Sequence, residues 1–216
     1  MSGEAIFPRL FPSFFLTLPM TTTFLTRVVR ALPLLGLLAC SSNQSETADP
    51  VAAARDRNEK KIDTADITDR QAADADFLVN ATDNVLLGVE LGKLAQQKAS
   101  TAVLRAYGQR LVQQRLELLR ALQSLAAAKH LAVPADLGQD ARAAYHETST
   151  LTGLQFDKQL LTVAVKMQAQ DEDAFDDMQD DAYDGDIRGF AAKYHPALQE
   201  QLSAAKVVQD EIDDLP

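Results

Sequence analysis

An apolar stripe between Leu104 and Leu125 constrains the fold more than any other feature of the chain. Leucine recurs there every seven residues, and the positions four places after the first three leucines fall on the same side. The stripe comprises Leu104, Gly108, Leu111, Arg115, Leu118, Leu122 and Leu125. Alternating steps of four and three are typical of a helix that buries one face in a bundle. The stripe therefore predicts a long helix with a packed inner face.

Arg115 is the charged residue in the middle of this stripe. A guanidinium keeps its charge in proteins, so its burial is costly unless a partner compensates it. We expect Arg115 to lie inside the bundle and to donate hydrogen bonds to Gln168, Gln201 or both. Asp171 and Glu172 are the nearest carboxylates that could balance its charge. In the alternative, the methylene groups of Arg115 cover the stripe and its guanidinium stays in water.

The composition favours one helical domain with extensions. The chain has 216 residues, of which 46% are hydrophobic and 6% aromatic, and it has no tryptophan. Its formal net charge is −10, and no basic stripe is present, so nucleic acid is not expected as a partner. A single cysteine excludes an intramolecular disulfide.

Hydrophobic spacing predicts four long helices and one short helix. Ser100 is a candidate N-cap for the second long helix, and Pro196 should kink the fourth. The predicted ranges are 69–98, 101–130, 139–146, 151–182 and 187–212. No useful stretch alternates with a period of two. We therefore predict an all-α, up-down four-helix bundle over residues 71–213, with a longer connection between its second and third helices.

One layer of this predicted bundle is polar. Gly88, Arg115, Gln168 and Gln201 each lie near the middle of the inner face of their helix, and up-down packing would bring them to one level. Metal sites in helical bundles are built at such levels from glutamate and histidine. A glycine, a guanidinium and two amides are poor ligands for iron, manganese or zinc, and the arginine would repel a cation. We therefore predict no metal and no cofactor.

The remaining polar residues form no recognisable catalytic constellation. His130, His146 and His195 lack a second histidine or a glutamate at helical spacing on an inner face, which favours surface or packing roles. An acidic run over residues 171–186 lacks the spacing of a calcium loop. It is interpreted as a solvated helix face, and weak association with divalent cations is the alternative. Because no nucleophile triad, phosphate loop or inner pair of carboxylates is found, we predict that the protein is not an enzyme.

The N-terminal region has the features of a secretory signal. Two arginines precede an apolar run over residues 31–39, which is too short to cross a bilayer. Residues 37–40, Leu-Leu-Ala-Cys, resemble the bacterial lipoprotein signal. That resemblance implies cleavage before Cys40, lipids on Cys40, and sorting to the outer membrane because Ser41 follows. A plain signal peptide that leaves a free cysteine is the alternative.

The segments on either side of Cys40 are predicted to lie outside the folded domain. Residues 1–39 form the signal peptide, and residues 1–19 are interpreted as a start-site artefact because Met20 opens a complete signal. Residues 40–70 are polar and are predicted to form the lipidated cysteine and a flexible tether. Within the tether, residues 52–62 have some helical character.

A family resemblance extends over residues 74–208. The segments that carry it are Asp76-Phe77, Glu90 to Ala95, Lys98 to Ser100, Arg110 to Val112, Leu160-Leu161, Phe175, Phe190 to Lys193, Pro196 and Leu198. They resemble a bacterial family of unknown function that is ferritin-like and labelled as predicted outer-membrane proteins. In that family, histidine usually occupies the positions of Arg115, Gln168 and Gln201, and glutamate often that of Gly88. The resemblance therefore implies a metal layer that this chain has lost.

These observations predict a lipid-anchored bundle that faces the periplasm from the bacterial outer membrane. It would be non-catalytic and would act by contact with proteins or other components of the envelope, and the membrane would be its partner through the anchor. The alternative is a ferritin-like metal-binding or redox protein that uses a non-standard site.

Overall fold

The structure, a computed structural model, describes residues 48–63 and 69–216. Over these residues the chain forms six α-helices and no strand, which confirms the all-α prediction. The helices are α1 (Pro50–Asp63), α2 (Asp69–Lys98), α3 (Ala102–Ala128), α4 (Gln139–Thr150), α5 (Gly153–Asp181) and α6 (Gly185–Asp213). No helix in the described ranges is both long and apolar enough to cross a membrane.

The inner faces of the long helices follow the predicted periodicity. In α3 the residues of the predicted stripe are buried from Leu104 to Leu122. In α2 the buried residues at steps of three and four are Phe77, Ala81, Val85, Gly88, Leu91 and Ala95. The N-cap of α3 is Thr101, whose hydroxyl accepts a hydrogen bond from the Leu104 amide at 3.3 Å. The predicted Ser100 cap is therefore wrong, because its hydroxyl donates to Asp157 instead, at 2.7 Å.

The direction of α5 differs from a simple up-down arrangement. Ser100 precedes α3 and contacts Asp157 near the beginning of α5, and further along the same two helices Arg115 contacts Asp171. Helices α3 and α5 therefore run in the same direction. The predicted longer connection between the second and third long helices is present as residues 129–152, with α4 inside it. The predicted up-down order is wrong here, because this connection returns the chain to the end where α3 began.

The core consists of two apolar clusters. The first, which we call the Leu104 cluster, includes Leu91, Leu104, Leu111, Phe156, Leu160, Met167 and Ala205. The second, the Phe175 cluster, includes Phe77, Val85, Leu118, Phe175, Ala191 and Leu198. Each long helix contributes residues to both clusters. The level of the core between the two clusters is occupied by other side chains.

Helix α1 lies in the stretch that was predicted to be a flexible tether. Val51 and Ala54 pack against Val79, and Asn58 is buried. The Asn58 amide donates to the Ala132 carbonyl at 2.9 Å and accepts from the Ala132 amide at 2.7 Å. The tether prediction is therefore wrong for Pro50–Asp63. Small side chains and one asparagine form its inner face, so the stretch has almost no large apolar residue to reveal it.

Helices α2 and α3 approach closely at two glycines. A Cβ atom on Gly108 would lie 2.6 Å from the Ala95 Cβ and 2.8 Å from the Gly92 carbonyl oxygen. Because the backbone of α2 cannot move aside as a flexible side chain could, any larger residue at Gly108 must separate the two helices.

Gly108→Ala should lower the free energy of unfolding by about 1–3 kcal/mol, the usual cost of overpacking. The matched control is Gly189→Ala in α6, where nothing lies within 4 Å of the added Cβ. There alanine should stabilise the helix by roughly 0.5–1 kcal/mol, because glycine is the poorer helix former. Urea melts of both variants measure the difference. Equal changes at the two positions would contradict the close packing of α2 and α3.

Candidate functional site

A polar layer lies between the Leu104 and Phe175 clusters. Its members are Asn84 and Gly88 from α2, Arg115 from α3, Gln168 and Asp171 from α5, and Gln201 from α6. Tyr107, a residue of the Leu104 cluster, joins the layer through its hydroxyl, which contacts Gln168. The four residues singled out from the sequence are among them. We therefore treat this layer as the candidate site.

Arg115 is completely buried, which confirms its predicted place in the interior. Its Nη1 donates to the Asp171 carboxylate, and that side chain is only 1% exposed. Of the two carboxylates predicted as partners, Asp171 fills the role, whereas Glu172 contacts His195 on α6 at 3.1 Å. A buried cation thus meets a buried anion in the middle of the core.

Gly88 provides the space for the arginine side chain. A Cβ atom at this position would lie 3.0 Å from both Cγ and Cδ of Arg115. Contacts this short are tighter than most side chains tolerate, so a residue larger than glycine would compete with Arg115 for the same volume. Gly88 and Arg115 therefore function as a complementary pair across α2 and α3.

The two glutamines do not accept hydrogen bonds from Arg115, so this part of the prediction is wrong. Gln168 Nε2 donates to the Tyr107 hydroxyl oxygen instead. Within the described residues, Gln201 Oε1 has no hydrogen-bond partner, and neither have Nε and Nη2 of Arg115. Gln168 is directed to Tyr107, and the amide oxygen of Gln201 lies beyond hydrogen-bond distance of the guanidinium.

Burial and charge oppose each other at Asp171. Burial raises the pKa of the Asp171 carboxyl, while the charge of Arg115 and a hydrogen bond from Asn84 Nδ2, at 3.0 Å, favour the ionised form. Burial also raises the pKa of Tyr107, with Arg115 and Gln168 acting in the opposite direction. Tyr107 therefore keeps its proton at neutral pH.

Asn84 and Tyr107 were not identified as members of the layer from the sequence. Asn84 lies four residues before Gly88, and Tyr107 lies four residues before Leu111. Helical spacing places each of them on the same side as a predicted inner residue. That spacing is the signal that could have found them.

The layer offers little to a metal ion. Its single carboxylate is occupied by Arg115, and its other donors are amides and a phenol. Over residues 48–63 and 69–216, no group of three or more histidine, cysteine, aspartate or glutamate side chains could hold a metal ion. The chemistry of this donor set does not fit iron, manganese or zinc.

The three histidines singled out in the sequence lie in other parts of the structure. His195 Nε2 faces Glu172 and, at 3.6 Å, Asp176 across the contact between α5 and α6. His130 follows α3 with φ of 56°, a left-handed conformation, and His146 is exposed in α4. Cys40, with the predicted signal peptide, lies outside the described residues.

The acidic run over residues 171–186 is less uniform than a solvated helix face. Asp171 is buried in the polar layer, and Asp184 is the N-cap of α6, accepting from the Asp186 and Ile187 amides. Asp184 also pairs with Lys129 at 2.7 Å, and these donors lower the pKa of the Asp184 carboxyl although partial burial opposes them. Asp171 and Asp184 therefore have defined structural roles.

Two further buried carboxylates were missed in the sequence. Asp157 is fully buried and accepts from the Ser100 amide, the Ser100 hydroxyl and the Thr101 amide. Asp74 accepts from the Tyr183 and Asp184 amides at the opposite end of the long helices. Asp157 lies four residues before Leu161, which is buried on the inner face of α5, so this helical spacing was the available signal.

Comparison with known proteins identifies the family. Residues 59–208 match the family described as Domain of unknown function (DUF4142). No curated protein and no solved structure matches the chain. The matched residues make up more than half of the 216 in the chain and contain the whole polar layer. The chain therefore belongs to the DUF4142 family.

Proposed function

We propose that the protein is a lipid-anchored helical bundle of the bacterial outer membrane that faces the periplasm. It acts by contact with proteins or other components of the envelope and not by catalysis. The observation that supports a role other than metal binding is the buried Arg115–Asp171 pair, which occupies the level of the core where a bundle would hold a metal. The proposed anchor rests on the sequence around Cys40.

The order of the helices supports a ferritin-like form of the bundle. Helices α2 and α3 pack as one pair and α5 and α6 as another, and the two pairs contact each other through α2 with α5 and α3 with α6. One long connection joins the pairs, which is the connectivity of ferritin-like bundles. In such bundles, glutamate and histidine side chains project inward at mid-height to bind metal.

The charge of Arg115 argues against metal binding in the polar layer. A divalent cation in the polar layer would stand beside the fixed charge of Arg115 and would need Asp171 as a ligand. To release Asp171, the ion would have to break a buried pair and leave the guanidinium without its partner, which is strongly unfavourable. The runner-up function, a ferritin-like metal-binding or redox protein with a non-standard site, therefore needs a different location.

Metal analysis separates these two functions. The protein purified in detergent is incubated with Fe²⁺, Mn²⁺ and Zn²⁺ in turn, dialysed, and measured by inductively coupled plasma mass spectrometry. We expect far less than one ion per chain because the polar layer lacks ligands. One ion per chain that survives dialysis would contradict the proposal and favour the metal-binding alternative.

The anchor is tested by Cys40→Ser. Acyl chains on Cys40 would supply the membrane affinity, since two lipid chains anchor a protein stably and none of the described helices spans a bilayer. We expect the variant to be released into the soluble fraction and to lose incorporation of labelled palmitate. Ser41→Ala is the matched control and should remain membrane-bound. A Cys40→Ser protein that still sediments with the outer membrane would contradict lipid anchoring.

A further inference from the structure

Helix α1 carries a group of exposed basic side chains. They are Arg55, Arg57, Lys60 and Lys61, all within seven consecutive positions. Asp56 and Glu59 lie among them, so four basic and two acidic side chains give positions 55–61 a net charge of +2. The whole chain has a net charge of −10. The exposed side of α1 is therefore a basic patch on an acidic protein.

The opposite side of α1 is fixed to the bundle. Val51 packs against Val79 of α2, and Asn58 is buried. At the beginning of the helix, the Asp49 carboxylate accepts from the Gln139 amide of α4 at 3.1 Å. These contacts hold α1 on the outside of α2, with its basic patch directed away from the core.

The proposed lipid anchor lies only a short distance before α1 in the chain, and the following argument rests on that anchor. Residues 41–47 separate Cys40 from Ala48, the first residue that the structure describes. Even fully extended, the chain from Cys40 to Ala48 spans no more than roughly 30 Å. The beginning of α1 therefore stays close to the membrane that holds Cys40.

Helix α6 lies on the far side of the bundle from α1. It packs against α3 and α5, the two long helices that also pack against α2, so α6 is diagonally opposite α2. A path around the bundle from α1 past α2 and α3 to α6 crosses three helix spacings, or about 25–30 Å. Residues 41–47 would be used up before they reached a membrane beyond α6. Chain length thus favours a membrane on the α1 side.

We propose that the exposed side of α1 is the surface of the protein that lies against the membrane, where its basic side chains contact anionic lipid headgroups. Basic residues next to a lipid anchor are attracted to such headgroups, whereas the acidic remainder of the protein is repelled. Both effects turn the same side of the bundle toward the lipid. Helices α3 and α6 then face away from the membrane and are accessible to partners in the periplasm.

Fluorescence quenching in vesicles tests this orientation. The full lipidated protein is reconstituted into vesicles of phosphatidylethanolamine and phosphatidylglycerol that carry a nitroxide on their headgroups. A fluorophore is attached at Ala52→Cys on α1 or, as the control, at Ala204→Cys on α6; both positions are exposed. We expect several-fold stronger quenching at position 52. Equal quenching, or stronger quenching at position 204, would overturn the proposal.

Sedimentation of the same vesicles separates this inference from the proposed function. Protein that does not sediment with the vesicles would contradict the lipid anchor itself, and the orientation with it. Protein that sediments but is quenched equally at both positions would contradict the orientation alone.

Arg57→Glu tests the contact with anionic headgroups. Added to the labelled Ala52→Cys protein, it should lower the quenching toward the level at position 204 while the protein still sediments. Arg120→Glu, at an exposed position of α3, is the control and should leave the quenching unchanged. Vesicles of phosphatidylcholine alone should weaken the quenching as Arg57→Glu does. Undiminished quenching in both experiments would refute the proposed role of the basic patch.

Discussion

Arg115→Leu should lower the free energy of unfolding by about 3–5 kcal/mol, the usual cost of removing one partner of a buried ion pair. Asp171 would remain in the core without its cation and with Asn84 as its remaining hydrogen-bond donor. Its protonation would relieve part of that cost, because burial already raises the pKa of this carboxyl. Urea denaturation followed by circular dichroism measures the change.

The control for this variant is Arg120→Leu. Arg120 lies on the same helix and is exposed, so leucine there should change stability by no more than about 0.5 kcal/mol. Both variants remove one positive charge and add the same side chain. Similar midpoints for the two variants would show that Arg115 behaves as a surface residue and would contradict the buried pair.

Asp157→Ala should cost on the order of 3 kcal/mol, because three hydrogen bonds to a buried carboxylate are lost together. The variant leaves the Ser100 and Thr101 amides and the Ser100 hydroxyl without this acceptor, whose distances to them are 2.9, 3.0 and 2.7 Å. These bonds join the turn between α2 and α3 to the beginning of α5. Urea melts and amide hydrogen exchange at Ser100 and Thr101 measure the loss.

Asp173→Ala on the same helix is the control for Asp157→Ala. Asp173 is exposed, and its replacement should change stability by no more than about 0.5 kcal/mol. Faster exchange at Thr101 in Asp157→Ala alone would locate the effect at the turn. Equal stability of the two variants would contradict the structural role of Asp157.

Local periodicity explains why the helices could be predicted. In α2 and α3 the steps of three and four residues identify the buried face without any knowledge of its neighbours. The packing of Pro50–Asp63 against the bundle was not predicted, because its inner face consists of small and polar side chains. The direction of α5 was missed because a connection as long as 129–152 permits either orientation of the helix that follows it.

The polar layer could be predicted only in part for a related reason. Periodicity identified Arg115 as an inner residue, and its charge required a carboxylate nearby. Which acceptors its donors reach depends on the positions of α5 and α6, and these are set by the packing of the two apolar clusters. Asp171 was therefore predictable as a partner of Arg115, whereas the predicted hydrogen bonds from Arg115 to Gln168 and Gln201 are not formed.

The central claim is that Arg115 and Asp171 hold the polar layer together as an ion pair. A double-mutant cycle with Arg115→Leu, Asp171→Leu and the double variant tests it most directly. Because replacing both charges leaves neither one unpaired, the double variant should be more stable than the sum of the single changes predicts, by about 1–3 kcal/mol. Single changes that add to within about 0.5 kcal/mol would show no coupling and would contradict the claim.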